Sequence, residues 1–107
     1  MILDKIRVSI TKANILWQKH SLQRMFEQNI SRREVKEAVL NGVVIENYLN
    51  DYPFPSILVA YIIKSQPLHV VISYDEENLT GYVITAYVPD IKHFRDDLIT
   101  RREDEQE

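Results

Sequence analysis

The 107-residue sequence has no cysteine, only two glycines and no long apolar run. Without cysteine the chain has neither a disulfide framework nor a thiolate metal site, and its three histidines lack the spacing of metal ligands. Gly42 and Gly81 are too few for a glycine-rich phosphate or dinucleotide loop. No run approaches about 18 apolar residues, and Asp4, Lys5 and Arg7 interrupt the start. We therefore expect a soluble, cytoplasmic protein with no membrane partner, cofactor or metal.

The body of the chain has almost no net charge, with 13 basic and 12 acidic residues over 1–102. The formal net charge is -3, but residues 103–107, EDEQE, carry four acids and no base. We expect residues 1–102 to form a single α+β domain, and the acidic tail at 103–107 to be disordered because it has no apolar anchor. The near-neutral body neither supports nor excludes nucleic acid as a partner, since a local basic patch matters more than the total.

Helical periodicity dominates the first forty residues. Apolar residues recur at helical spacing over 2–13, which predicts an opening helix. The stretch 20–42 predicts two short helices, and in the first of them Leu22, Met25 and Phe26 have the spacing of one buried face. Residues 15–17, Ile-Leu-Trp, are consistent with a short strand or with the approach to the next helix.

The opposite face of the first central helix carries His20 and Arg24, four residues apart. Asn29 is a suitable left-handed stop for this helix, and Ser31 with Glu34 has the form of a capping box that begins the next one. The pattern alone is also consistent with an ordinary solvated helix face for His20 and Arg24.

After Gly42 the periodicity becomes that of strands. Four runs rich in valine, isoleucine and tyrosine follow one another with connections too short for crossover helices. Pro89 ends the last run, and Asp90 can cap a closing helix. The predicted fold is therefore α+β, with N-terminal helices, a four-stranded antiparallel meander and a C-terminal helix. The four runs are 43–49, 57–63, 68–74 and 82–88.

A polar group is expected on one face of the last two strands. If the turn is symmetric between residues 75 and 81, His69 lies opposite Tyr87 and Val71 lies opposite Thr85. An imidazole, a phenol and a hydroxyl would then share one surface. A register slip of one residue would scatter them over both faces, and an ordinary half-buried sheet surface remains the alternative.

Several motifs together resemble one family. HSLQRM, the E-x-x-I-S entry into the second central helix, L-N-G, Y-P-F-P-S, P-L-H-V-V-I and V-I-T-A-Y-V-P-D occur in this order between about residues 16 and 94. They are similar to the small bacterial and archaeal proteins of the domain-of-unknown-function family DUF4258. That family has been grouped by distant similarity with barnase, EndoU, colicin and RelE-like ribonucleases, and its members often lie beside a zinc-ribbon antitoxin.

The resemblance implies a metal-independent ribonuclease toxin of a toxin-antitoxin pair. The family's recurrent polar positions correspond here to His20, Arg24, His69, Thr85 and Tyr87. Metal-free RNA cleavage needs a proton donor, a proton acceptor and stabilisation of the phosphorane, which histidine and arginine supply well. We therefore predict His20 as the acid or base and Arg24 as the phosphate clamp, with His69 and Tyr87 completing the site. RNA, a cognate antitoxin and a second copy of the chain are the candidate partners.

One departure from the family pattern concerns the junction of the central helices. Many relatives have E-R-G there, whereas this chain has Glu27, Gln28 and Asn29, so a basic residue is missing. Asn29 can still take the left-handed conformation, but the absence of arginine at 28 weakens a phosphate site at that point.

Two alternatives stay open on the sequence. One is a catalytically inert module that binds an antitoxin or itself through an exposed sheet edge. The other is a helix-turn-helix DNA binder, in which Arg32 and Arg33 open the second helix, although Glu34 and Glu37 beside them would repel phosphate.

Overall fold

Within residues 2–89, three helices pack with one five-stranded mixed sheet. The computed structural model describes residues 2–89, so the predicted closing helix after Pro89 and the acidic tail lie outside the described residues. The strand order in the sheet is β1-β5-β4-β3-β2. The elements are α1 (Ile2–Thr11), β1 (Ile15–Trp17), α2 (Lys19–Glu27), α3 (Arg32–Asn41), β2 (Val43–Tyr48), β3 (Ser56–Ile63), β4 (Gln66–Asp75) and β5 (Thr80–Tyr87).

The prediction of a four-stranded, wholly antiparallel sheet is wrong by one strand. Strands β2 to β5 form the predicted antiparallel meander, but β1 adds a fifth strand that runs parallel to β5. Its three residues, Ile15 to Trp17, pair with Gly81 to Val83. Three residues are too few to show an alternating pattern, so only the long-range pairing identifies this strand.

The break between the central helices is confirmed. Asn29 has a φ of 59°, the left-handed conformation that asparagine tolerates better than most residues. The Glu34 amide donates to Ser31 Oγ at 3.0 Å, and the Ser31 amide donates to Glu34 Oε1 at 2.9 Å, which completes the predicted capping box. These local bonds begin α3 in a new direction.

The end of α3 is confirmed at Gly42, although for a different reason. Gly42 has a φ of -80°, so no left-handed turn requires glycine there. A Cβ at this position would lie 2.5 Å from the Ala38 carbonyl oxygen and 2.6 Å from that of Ala60. The absence of a side chain at Gly42 thus permits the close approach of α3 to β3.

The end of α3 is also held by Arg7 of α1. Its guanidinium donates to the carbonyl oxygens of Val39 and Gly42, both at 2.9 Å.

The core lies between the helices and one face of the sheet. The predicted alternation in β4 is confirmed, because Leu68, Val70, Ile72 and Tyr74 all belong to the buried cluster. Ile6 of α1 is fully buried in the same cluster. No helix within residues 2–89 is both long and apolar enough to cross a membrane. The other buried apolar residues of the cluster are Ile10, Met25, Val35, Ala38, Val39, Ile57, Val59, Val83 and Ala86.

The predicted apolar face of α2 is partly wrong. Met25 is 2% exposed as expected and Leu22 is half-buried, but Phe26 is 84% exposed. The residue that shares the buried face of α2 with Met25 is instead Ser21, which is fully buried. Its hydroxyl donates to the Gln18 carbonyl oxygen at 2.7 Å. The helix is therefore rotated toward the side that bears Arg24. A small serine at the contact lets α2 approach the sheet closely, which the hydrophobic pattern did not indicate.

Helix α2 lies along the edge of β5 that the short β1 leaves open. Just before the helix, the Gln18 amide donates to the Val83 carbonyl oxygen at 3.2 Å. Just after it, Gln28 Oε1 accepts a hydrogen bond from the Val88 amide at 2.7 Å. Nine helical residues span about 14 Å, close to the roughly 17 Å between strand positions 83 and 88. The helix thus runs beside the second half of β5.

Candidate functional site

A β-bulge in β5 decides which side chains the sheet presents beside α2. Near the turn Asp75 pairs with Thr80, whereas beyond the bulge Val71 pairs with Thr85 and Ile72 with Val83. Ile84 is therefore an extra residue without a partner across the strand. Such a bulge shifts every later residue of its strand to the opposite face.

The bulge brings His69 opposite Tyr87, which confirms the predicted pairing. The assumed turn was nevertheless wrong, because Gly81 pairs with Tyr74 rather than with Asp75. Without the bulge, Ala86 would lie opposite His69, and Tyr87 would face the helical core. The correct pairing thus results from a displaced turn and a compensating bulge.

Three side chains form a stack from the sheet to α2. The imidazole of His69 meets the ring of Tyr87 edge-on, with a centroid distance of 5.5 Å and an interplanar angle of 65°. On Tyr87, the guanidinium carbon of Arg24 lies 5.0 Å from the ring centroid. His69 is 1% exposed, whereas Tyr87 and Arg24 are half-buried. We call His69, Tyr87 and Arg24 the Arg24 stack. It holds a cation at the surface on a rigid aromatic support.

Arg24 also borders a surface cavity of about 360 Å³ on α2, here called the α2 cavity. Its lining within residues 2–89 includes His20, one turn before Arg24, so the predicted pair does share one concave site. Sequence reasoning missed the other three lining residues. They are Gln23, Glu27 and Gln28, and with His20 and Arg24 they follow the helical spacing i, i+3, i+4, i+7, i+8 that could have identified them.

Glu27 supplies the one carboxylate among the described residues that line the α2 cavity. Gln23 Nε2 lies 3.5 Å from Glu27 Oε2, one turn away on the same side of the helix. His20 and Glu27 therefore flank Arg24, and because they are seven positions apart they are separated by about 10 Å along the helix axis. Two side chains capable of proton transfer stand on either side of a cation that can hold an anion.

Gln28 has a structural role in this chain. Its side-chain oxygen satisfies the amide of Val88, the residue that follows Tyr87. An arginine cannot accept this hydrogen bond, because its guanidinium has only donors. Gln28 thus links α2 to β5.

The predicted site residues divide into two groups. His20 is exposed and Arg24 is half-buried at the cavity, and Tyr87 contacts Arg24. His69 lies in the interior on the far side of Tyr87, so it supports the stack and does not line the cavity. Thr85 lies on the His69 face opposite Val71, and its buried hydroxyl makes no hydrogen bond within residues 2–89.

Comparison with known proteins places the chain in one family. The model of a domain of unknown function, DUF4258, matches residues 17–88, which include α2, α3, the whole antiparallel meander and each member of the Arg24 stack. Searches of curated proteins and of solved structures gave no match at the threshold applied.

Proposed function

Since this chain belongs to DUF4258, a family of unknown function, we propose its activity from its own geometry: the α2 cavity binds RNA and cleaves it without a metal ion. One observation supports the proposal most directly. The Arg24 guanidinium stacks on Tyr87 at the border of a cavity that also contains His20. A stacked guanidinium keeps its N–H edges available for bidentate contact with a phosphate.

The arrangement suits in-line attack of a ribose 2′-hydroxyl on the adjacent phosphorus. With the phosphate over Arg24, Glu27 on one side accepts the 2′-hydroxyl proton as the new P–O bond forms. His20 on the other side donates a proton to the 5′-oxygen as the old P–O bond breaks. The products are a 2′,3′-cyclic phosphate and a free 5′-hydroxyl. Arg24 stabilises the charge that develops on the phosphorane oxygens.

His69 and Tyr87 act on Arg24 in this scheme and not on the substrate. The edge-on imidazole limits the movement of the phenol ring, and that ring supports the guanidinium. Such positioning matters because small displacements of a catalytic cation weaken its contact with the transition state. Thr85, two residues before Tyr87, belongs to the same sheet surface.

The test is an inducible growth assay combined with cleavage of a fluorescent RNA by purified protein. Wild-type protein should slow growth, and His20→Ala should lower the cleavage rate by about 10²- to 10⁴-fold. Arg24→Lys keeps the charge but loses the fork, so cleavage should also fall. Lys19→Ala, on an exposed residue of the same helix outside the described lining of the cavity, is the matched control. Absence of cleavage by wild-type protein, with both site variants silent, would reject the ribonuclease proposal.

Protein binding is the second candidate function, and the exposure of Phe26 favours it. An aromatic side chain that is 84% exposed on a well-packed helix resembles the anchors of protein interfaces. The partners we propose are a cognate antitoxin or a second copy of the chain. Phe26→Ser separates the two functions, because RNA cleavage by the purified protein should persist while association in sedimentation experiments is lost.

The packing does not favour the helix-turn-helix alternative. That motif requires its two helices to pack on each other so that the second enters a groove. Here α2 contacts β5, whereas α3 contacts β3 and β4. Arg32, at the start of α3, is directed to the ring of Trp17, 5.7 Å from its centroid.

A further inference from the structure

A second cavity, of about 310 Å³, lies between α1 and the turn that joins β4 to β5. Its apolar surface includes Val8 of α1 and Leu79 of the turn, which are 52% and 59% exposed, and Tyr74 of β4. The Lys5 ammonium, paired with the Glu76 carboxylate, also lines the cavity. This volume is at the lower end of those that hold small-molecule ligands.

The backbone conformation at Leu79 is unfavourable for a leucine, so this apolar side chain occupies its position at a cost in conformational free energy. Leu79 has a φ of 53°, a left-handed conformation that glycine or asparagine adopts with much less strain. The turn before it is well ordered by Asp75, whose carboxylate accepts from the amides of Glu77 and Asn78 at 3.0 and 3.1 Å. A strained and exposed leucine that borders a cavity has no evident role in folding.

The polar side chains of the cavity favour an anionic ligand. Lys5 and Glu76 neutralise each other, whereas the Lys12 ammonium and the Asn14 side-chain amide make no hydrogen bond or ion pair within residues 2–89. Carbonyl oxygens at the C-terminal end of α1 are also hydrogen-bonded to the backbone that follows the helix. The Val8 carbonyl oxygen accepts from the Lys12 amide at 3.0 Å, and the Ser9 carbonyl oxygen accepts from the Asn14 amide at 2.7 Å.

We propose that this cavity binds a small amphipathic carboxylate. Its apolar body lies against Val8, Tyr74 and Leu79, and its carboxylate is held by Lys12 and Asn14. This site is separate from the α2 cavity and does not depend on the ribonuclease proposal.

The probe is octanoate, titrated into the full-length ¹⁵N-labelled protein, with octanol and acetate as comparison ligands. Octanoate should shift the amide resonances of Val8, Asn14 and Leu79, and it should bind at least about tenfold more tightly than either comparison ligand. Octanol lacks the carboxylate, and acetate lacks the apolar body.

Two variants test the two halves of the site. Leu79→Asn suits the left-handed backbone, so the thermal midpoint should not fall, but octanoate affinity should drop about tenfold as apolar contact is lost. Lys12→Gln should bring octanoate affinity down to that of octanol. Leu40→Ala removes an apolar side chain of α3 outside the described lining of this cavity and should leave octanoate affinity unchanged. Equal binding of octanoate and octanol by wild-type protein, or unchanged binding by Leu79→Asn, would overturn the proposal.

Discussion

The hydrogen bond between Gln28 and Val88 gives the sharpest test of how α2 is positioned. The Val88 amide donates to Gln28 Oε1 at 2.7 Å, and this bond joins the end of the helix to the end of β5. Gln28→Ala removes the acceptor and leaves a half-buried amide without a partner. Gln28→Glu retains an oxygen at the same position and is the matched control.

The expected cost follows from the burial of this bond. An unsatisfied buried donor costs about 1–3 kcal/mol, and the half-buried setting of Gln28 and Val88 places the loss near the lower end. We therefore expect Gln28→Ala to lower the free energy of unfolding by about 1 kcal/mol. For a domain of this size, that loss corresponds to a fall of about 4–8 °C in Tm.

Urea unfolding and amide hydrogen exchange measure the effect. Exchange at Val88 should accelerate in Gln28→Ala, whereas Gln28→Glu should remain near wild type in both measurements. Because Tyr87 precedes Val88 and supports Arg24, the proposed RNA cleavage should also fall in the alanine variant. Equal stability and equal Val88 exchange in the two variants would refute the inference that this bond fixes α2 against β5.

Two further predictions concern stability. Met25→Ala should cost about 2–5 kcal/mol because the side chain is 2% exposed, whereas Phe26→Ser should stay within about 0.5 kcal/mol, as urea unfolding can show. A cost for Phe26→Ser as large as that for Met25→Ala would instead support the face predicted from the sequence. The Asn78 side-chain amide, with the backbone amides of Asn78 and Glu77, holds the pKa of Asp75 below its ordinary value of 3.8. The carboxylate therefore contributes stability above about pH 4, which is lost as the pH falls through the lowered pKa, so the urea midpoint of Asp75→Asn should vary less between about pH 5 and 2.

Features that depend on neighbouring residues could be predicted from the sequence. The stop at Asn29, the capping box of Ser31 and Glu34 and the alternation in β4 arise from bonds or periodicities within a few residues. The proximity of His20 to Arg24 has the same origin, since one helical turn separates them. Such features are encoded locally, and the tertiary structure preserves them.

The register at the candidate site was predicted correctly from an incorrect turn. Pairing of His69 with Tyr87 needs a shift of one residue, and the chain makes that shift at Ile84 instead of at the turn. A bulge leaves no clear trace in an alternating pattern as short as that of β5, because one extra residue merely exchanges the two faces. The site residues could be named, but the device that brings them together could not.

The tertiary structure alone decided which side of α2 is buried and what lies beside it. Its hydrophobic pattern favoured a buried face that included Phe26. The helix instead lies along the edge of β5 beyond β1, where the small Ser21 side chain permits close approach and Gln28 accepts a hydrogen bond from the Val88 amide. That edge exists because a three-residue strand pairs with residues far along the chain. Local sequence determines that α2 is a helix, whereas its rotation, and hence the contact of Arg24 with Tyr87, depends on a long-range surface that no local pattern encodes.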